Sequence, residues 1–370
     1  MTTAIQPAYR ALFCDLRTDQ VVDSLPLTGV EFDDYIGKAG SLRATVPLPD
    51  QALAQRARTA LQPGRTAVWL ERGGEIWWGG ILWTCTPSGD EQGRMTAEIQ
   101  AGTFDSYLDH RILSSSLEAK EAVDQFDIVR TLVDHIQAQP GGDLGIEYGT
   151  ETSGVTRTQS YAYTDVARVR EIVDGLAAHQ DGFEWRIHCY RDPVTARRVK
   201  RLQLGHPQIH VGAQDIVLDR PGPLLSYSLP GDATLQANVW VARGDSANRN
   251  QAADSVPTMS ERKVAITDLD AGWPRLEGTS DHSSVSDRTT LNSLADAGLG
   301  RSRRPQLIPE ATIRLDGRLT PAHLGATVRL RITDLWHPEG LNARFRVVGM
   351  TVSPPERAKA ETAKLYLEGI

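Results

Sequence analysis

Residues 66–86 constrain the fold more than any other stretch of this 370-residue chain. Two β-rich segments, 66–71 and 75–86, flank Arg72-Gly73-Gly74, whose glycines suit a tight hairpin turn. Val68 and Leu70 lie on one face with Trp69 opposite, and Ile76 and Trp78 alternate with Trp77. Large apolar side chains therefore point both ways. A sheet made from this hairpin is covered on both faces, as in a barrel or sandwich that also packs against a neighbour. Gly79-Gly80 in mid-strand predicts a bulge or sharp bend, which small barrels need at their corners.

The surrounding sequence is of the same kind. Strands are expected at 9–16, 21–30 and 95–101, and at 42–48, where Leu42, Ala44, Val46 and Leu48 alternate with polar neighbours. Asp50 caps a predicted helix at 51–61, which stops before Pro63-Gly64. From residue 114 the period changes. A helix is expected at 127–139, and another at 163–180 with Val166, Val169, Ile172, Val173 and Leu176 as its stripe. A hairpin follows, 183–190 and 198–204. Strands return at 216–218, 224–229 and 234–242, and again at 311–315, 327–333, 343–354 and 363–369, with a helix near 284–299 between them.

The expected fold class is thus mainly β with α+β elements. Two small β-barrel domains, 1–110 and 206–242 plus 306–370, are separated by an α+β domain at 111–205. An insertion with one helix, 243–305, interrupts the second barrel.

Charge and cysteine usage remove several functions. Forty Lys and Arg against 47 Asp and Glu give a net charge of −7, the wrong sign for coating nucleic acid or an anionic membrane. Cys14, Cys85 and Cys189 are far apart and form no CxxC, so neither a zinc ribbon nor a disulfide framework is expected. No apolar run approaches the roughly 18 residues of a membrane span, and no secretory signal opens the chain. No P-loop or GxGxxG occurs, and His206 and His210 are separated by a helix-opposing Pro207, so no cofactor or metal is expected.

Two short motifs carry the catalytic alternative. Gly244-Asp245-Ser246 and Asp334-Leu335-Trp336-His337 resemble the first and last blocks of GDS-type (SGNH) esterases. That resemblance would make Ser246 the nucleophile and Asp334/His337 its base pair. Such enzymes use a parallel sheet with intervening helices, whereas 246–334 reads mostly as turns and strands. A third reading, a carbohydrate-binding baseplate module, would use Trp240 or Trp273 to stack on sugars.

The order of elements supports a different resemblance. Residues 103–113, Thr-Phe-Asp-Ser-Tyr-Leu-Asp-His-Arg-Ile-Leu, resemble the passage that ends the first β-domain in tail-tip hub proteins of long-tailed phages (siphophages), the hub portion of the tail-associated lysin family. Gly29-Val30-Glu31-Phe32, the run from Leu42 to Leu61, the 68–82 hairpin and Val239–Gly244 are similar to further strands of that family. The resemblance implies a non-enzymatic virion protein at the tail tip, assembled in the host cytoplasm. It also implies a homotrimer whose six barrels match a sixfold tube. Expected partners are the distal tail or tube protein, the tape measure protein, and fibre or other tip proteins. DNA would pass through the lumen only in transit, and an acidic wall would disfavour its adsorption. Stable membrane binding is not expected, and any peptidoglycan-cleaving or fibre-like function would come from other proteins. Trp69, Trp77, Trp78 and Trp83 are the candidate interface residues.

Overall fold

The computed structural model describes residues 8–119, 121–246, 256–283, 285–304, 309–315, 317–356 and 359–370. Ser284 of the expected last helix, 247–255 of the expected insertion, and 305–308 at its junction with the second β-domain lie outside these. The chain forms two compact units. One comprises Ala177–Gly182 and Ser228–Pro309; the rest of the chain forms the other.

The larger unit opens with β1 (Tyr9–Asp15), β2 (Val21–Asp23), β3 (Thr28–Tyr35), β4 (Ser41–Leu48), α1 (Gln51–Ala60), β5 (Thr66–Arg72), β6 (Glu75–Gly89) and β7 (Met95–Thr103). Asp50 caps α1 by accepting from the Leu53 N–H at 2.8 Å. The strands run β2-β1-β5-β6-β7-β4-β3, every neighbouring pair antiparallel.

The expected irregularity at Gly79-Gly80 is displaced. Both glycines keep regular register, opposite Trp69 and Val68, while the register shifts fall on either side, at Trp77 and at Trp83. The glycines serve close approach instead. A Cβ on Gly79 would come within 2.7 Å of the Trp69 ring, and one on Gly80 within 2.4 Å of the Trp78 ring.

A 3-10 turn, Phe104–His110, leads into β8 (Val123–Asp124), α2 (Gln125–Gln137), β9 (Ile146–Tyr148), β10 (Thr156–Arg157), α3 (Val169–Ala177), β11 (Glu184–Arg191) and β12 (Arg198–Gly205). α2 buries Phe126, Val129, Leu132, Val133 and Ile136. Helix α3 is shorter than the apolar stripe predicts. Bridges between Leu117 and Tyr161 and between Ile112 and Arg168 hold the preceding chain. Val166 is exposed in a left-handed conformation (φ +53°) instead of extending the stripe. β11 pairs antiparallel with β12, which pairs parallel with β9.

After β13 (Val211–Arg220) and β14 (Leu224–Ser228) the chain enters the smaller unit. It holds β15 (Val239–Arg243), β16 (Lys263–Val264), α4 (Ile266–Asp270), β17 (Glu277–Asp281) and α5 (Arg288–Ser302). The strand expected at 234–242 in the second β-domain is β15, and its partners are β16 and β17. The reason is packing: Ala242 and Trp240 join Leu291 and Ala295 of α5 in a separate small core.

The larger unit resumes with β18 (Glu310–Arg314), β19 (Ala326–Ile332), β20 (Leu341–Ser353) and β21 (Thr362–Gly369). These strands form β14-β18-β21-β20, with β19 on β20 and β13 parallel to β19. β20 also pairs with β3, from Gly349 opposite Tyr35 to Val352 opposite Phe32. The two β-regions are thereby one thirteen-stranded sheet among the described residues. The fold is mainly β; no closed barrel ladder is present among those residues.

Candidate functional site

Three of the four candidate interface tryptophans are used up inside the chain. Trp69 is 0% exposed, and Trp77 and Trp78 are also buried. The Trp69 indole donates to Asp19 Oδ1 at 2.8 Å and lies 5.0 Å from the Phe104 ring. Trp78 donates to the Asp33 carbonyl at 2.9 Å. Trp77 meets Tyr9 edge-on at 5.9 Å, with the Arg72 guanidinium 4.5 Å over its ring. The neighbour that covers the second face is intramolecular. Strand β11 lies against β6, placing Cys189 Sγ 3.8 Å from the Gly79 carbonyl, and Lys200 of β12 lies 5.8 Å from the Trp69 ring. A ring closed over in this way has no face left for a second subunit. Trp83 differs: it is half-buried, donates to Ser106 Oγ at 2.9 Å and leans on His110 at 4.4 Å.

The same seam contains buried charges that sequence reasoning passed over. Arg186 of β11 is buried, donates to the Pro321 carbonyl at 3.2 Å and sits 3.7 Å from Asp34 of β3. Desolvation lifts the Asp34 carboxyl to about 7, against the pull of Arg186. Desolvation also lowers the Arg186 pKa. Arg170 of α3 pairs with Asp105 at 3.0 Å and donates to the Gly37 carbonyl at 3.1 Å. Arg346 of β20 joins Glu184 of β11 to Glu368 of β21, at 2.5 and 2.6 Å. Arg186 and Arg346 tie strands β3, β20 and β21 to β11, and Arg170 ties α3 to the 3-10 turn and to the loop after β3. Their spacing in sequence gave no signal, because the partners are 22 to 162 residues away.

Asp334 is not arranged as the orienting carboxylate of an esterase pair. Asp334 accepts from the backbone N–H groups of Trp336 and His337, both at 3.0 Å, and from the Tyr227 hydroxyl. It shapes the turn and leaves His337 Nε2 buried without a hydrogen-bond partner. Ser246 is exposed in the smaller unit. Burial raises the pKa of all three cysteine thiols, Cys14 to about 11, so none is poised as a nucleophile. Among the described residues no cluster of three or more His, Cys, Asp or Glu suits a metal ion. No described helix is long and apolar enough to cross a membrane. For the sugar-stacking reading, Trp240 is closed over by Gly278 and Gly298, where a Cβ would come within 2.3 and 2.4 Å of the ring. Trp273 is exposed, with Arg304 5.9 Å from its ring.

Among the described residues, two apolar surface features stand out. The turn between β19 and β20 holds Leu335 fully exposed and Trp336 84% exposed. It is nonetheless ordered by Asp334 and by a Gly340 N–H to His337 carbonyl bond of 3.0 Å. The second feature is a hollow of about 220 Å³ beside α2, lined by Leu117, Val123, Ile128 and Tyr161 together with the polar Ser116, Glu118, Thr131 and Gln159. Exposed Ile112, Tyr163 and Val166 occur in the same stretches of chain.

No family model and no curated protein sequence matches this chain. Solved structures do. The chain is similar to a 43 kDa tail protein of prophage MuSo2 from Shewanella oneidensis, with a TM-score of 0.63 and 10% identity over 98% of each chain. It is similar to a tail protein from Neisseria meningitidis MC58, with a TM-score of 0.62 and 12% identity over 98% of this chain and 96% of that one. A chain in a Francisella PdpA–VgrG complex matches with a TM-score of 0.57 and 8% identity, over 99% of this chain and 59% of that one. The fold is one found in phage tail proteins, and the likeness runs over nearly the whole chain.

Proposed function

We propose that the protein is a structural, non-enzymatic component of a phage tail tip: a homotrimeric hub that closes the distal end of the tail tube. The observation that carries this reading is the end-to-end fold likeness to tail proteins, 98% of both chains in the Shewanella case. The sheet topology supports it further. β2 and β3 end one set of strands yet are joined by residues 24–27 alone. Laid flat, six strand spacings of about 4.8 Å would hold them roughly 29 Å apart. Five chain steps reach only about 18 Å. The set must therefore curl. β13 and β14, joined by residues 221–223, impose the same on the second set. Two curled β-sets per protomer give six in a trimer, which suits a sixfold tube.

In this reading the tube or distal tail protein stacks on the curled sets, the tape measure protein ends at the lumen, and fibre or other tip proteins attach outside. The excess of 47 acidic over 40 basic residues suits a lumen through which DNA slides without adsorbing. Trp83 is the member of the tryptophan set that stays a candidate for the subunit interface. Light scattering on the purified chain is the test. A concentration-independent mass of three protomers, with threefold rings in negative-stain images, is expected. A monomer across the accessible concentration range, or a twofold dimer, would overturn the trimeric hub.

A further inference from the structure

We propose that the Leu335-Trp336 turn of one protomer seats in the α2 hollow of the next, so that the ring closes through a knob-in-hollow contact between copies of this chain. The inference rests on the trimeric reading and assigns it a specific contact.

The knob is the less ordinary half. An exposed indole beside a fully exposed leucine is costly to leave in water, and a floppy loop would fold it back onto the protein. Here three groups prevent that. Asp334 takes the Trp336 and His337 N–H groups, and the Tyr227 hydroxyl donates to the same carboxylate. Arg220 lies 5.5 Å over the Tyr227 ring and backs that post. The turn is held outward before any partner arrives, which lowers the ordering cost of binding. Trp and Tyr are the residue types that most often anchor interfaces.

The hollow fits such a guest by size and chemistry. Its lining presents more apolar than polar surface: Leu117, Val123, Ile128 and Tyr161, with Ser116, Glu118, Thr131 and Gln159 among them. Burial lifts the Tyr161 phenol to about 12, as expected of a ring held in an apolar wall. At about 220 Å³ the hollow is below the roughly 300 Å³ at which small-molecule pockets begin, and one large side chain is the natural occupant. Exposed Ile112, Tyr163 and Val166 lie in the same two bridged stretches of chain.

Why a second copy? Knob and hollow are different patches of one chain, and each is incomplete alone. A contact between unlike patches of identical subunits is heterologous, and it closes into a ring when the rotation allows. One tryptophan buries about 200 Å², well under the roughly 800 Å² per partner of a stable interface. The pair is therefore an anchor within a larger trimer contact.

Two surface variants test the pairing. Trp336→Ser removes the knob at an exposed turn, and Thr131→Arg fills the hollow from an exposed helix position. Both are expected to keep the wild-type far-UV spectrum. Alone, each is expected to run as a monomer, with association at least tenfold weaker than wild type. Mixed in equal amounts they form a two-protomer species, because the first supplies an intact hollow and the second an intact knob. If both variants stay trimeric, the pairing is wrong while the trimeric hub stands. Two monomers that do not combine on mixing also overturn the pairing, and assign each patch to a different tail protein. A monomeric wild type removes both proposals together.

Discussion

Two tryptophan-bearing hairpins of this chain, β5–β6 and β19–β20, end in opposite environments. β5–β6 buries Trp69, Trp77 and Trp78, whereas β19–β20 holds Trp336 out in solvent at its tip. The difference is not hydrophobicity. In β5–β6, Gly79 and Gly80 leave room for the Trp69 and Trp78 rings, β11 lies against β6, Lys200 of β12 lies beside Trp69, and Tyr9 and Arg72 pack on Trp77. In β19–β20 the ring follows Asp334 on a turn, where no strand passes above it. A tryptophan is buried when another segment returns over it, and only the chain's path decides whether one does.

The largest effect is expected from stripping the covered hairpin. Trp69→Ala should cost about 3–5 kcal/mol of unfolding free energy, as for other large aromatic-to-alanine changes in cores. Urea titration of the variant measures this, and a loss under 1 kcal/mol would mean that β12 does not seal the ring.

The cover should also make stability depend on pH. Below about pH 4 both folded and unfolded Asp34 keep the proton. Between there and about 7 the unfolded chain releases it and the folded chain does not, so stability falls as pH rises and levels off above 7. At ~1.4 kcal/mol per unit the ceiling is roughly 4 kcal/mol, the pull of Arg186 being already contained in the shifted value. Asp34→Asn should lose this slope while keeping those of the other carboxylates. Parallel pH profiles for variant and wild type would place the charge elsewhere.

Gly80→Ala sharpens the comparison at the backbone. Its Cβ would meet the Gly102 carbonyl at 2.1 Å and the Trp78 ring at 2.4 Å, neither the end of a flexible chain. A cost of about 1–3 kcal/mol follows, read as a lower urea midpoint. At the uncovered hairpin, Trp336→Ser should change protomer stability by no more than about 0.5 kcal/mol, as exposed positions do. A large destabilisation there would show that the indole packs within its own protomer.

The strands and their order were legible because half-buried strands alternate and their ends carry glycine or proline. The 66–86 hairpin appears where Arg72-Gly73-Gly74 puts it, and α1 starts at the Asp50 cap. Less legible were features with distant partners. The expected helix from 163 loses its first turns to a bridge from Arg168 to Ile112, 56 positions earlier, with Tyr161 just ahead of it bridged to Leu117, 44 positions earlier. The bulges sit at Trp77 and Trp83 because pairing with β5 and β7 sets the register, which Gly79-Gly80 alone could not show.

The candidate site divides in the same way. Sequence singled out the tryptophans as large and two-faced and assigned part of the set to another subunit, whereas three of them are buried within the protomer, Trp69 beside Lys200 of β12, Trp77 against Tyr9 and Arg72, and Trp78 on the Asp33 carbonyl. It read Asp334 and His337 as a possible catalytic pair, whereas the carboxylate faces backbone N–H groups.

By itself the sequence determined a mainly β chain with helical segments in its middle, an acidic balance, and an order of elements that resembles a phage tail hub. These are local or additive properties, written in periodicity, turn residues and charge. Only the tertiary structure decided that β3 and β20 join the two β-regions into one sheet, that the tryptophans of β5–β6 are spent inside the protomer, and that Leu335 and Trp336 are left outside. Those outcomes depend on which distant segment returns over which surface, and hydrophobic burial has no direction until the chain's path supplies one.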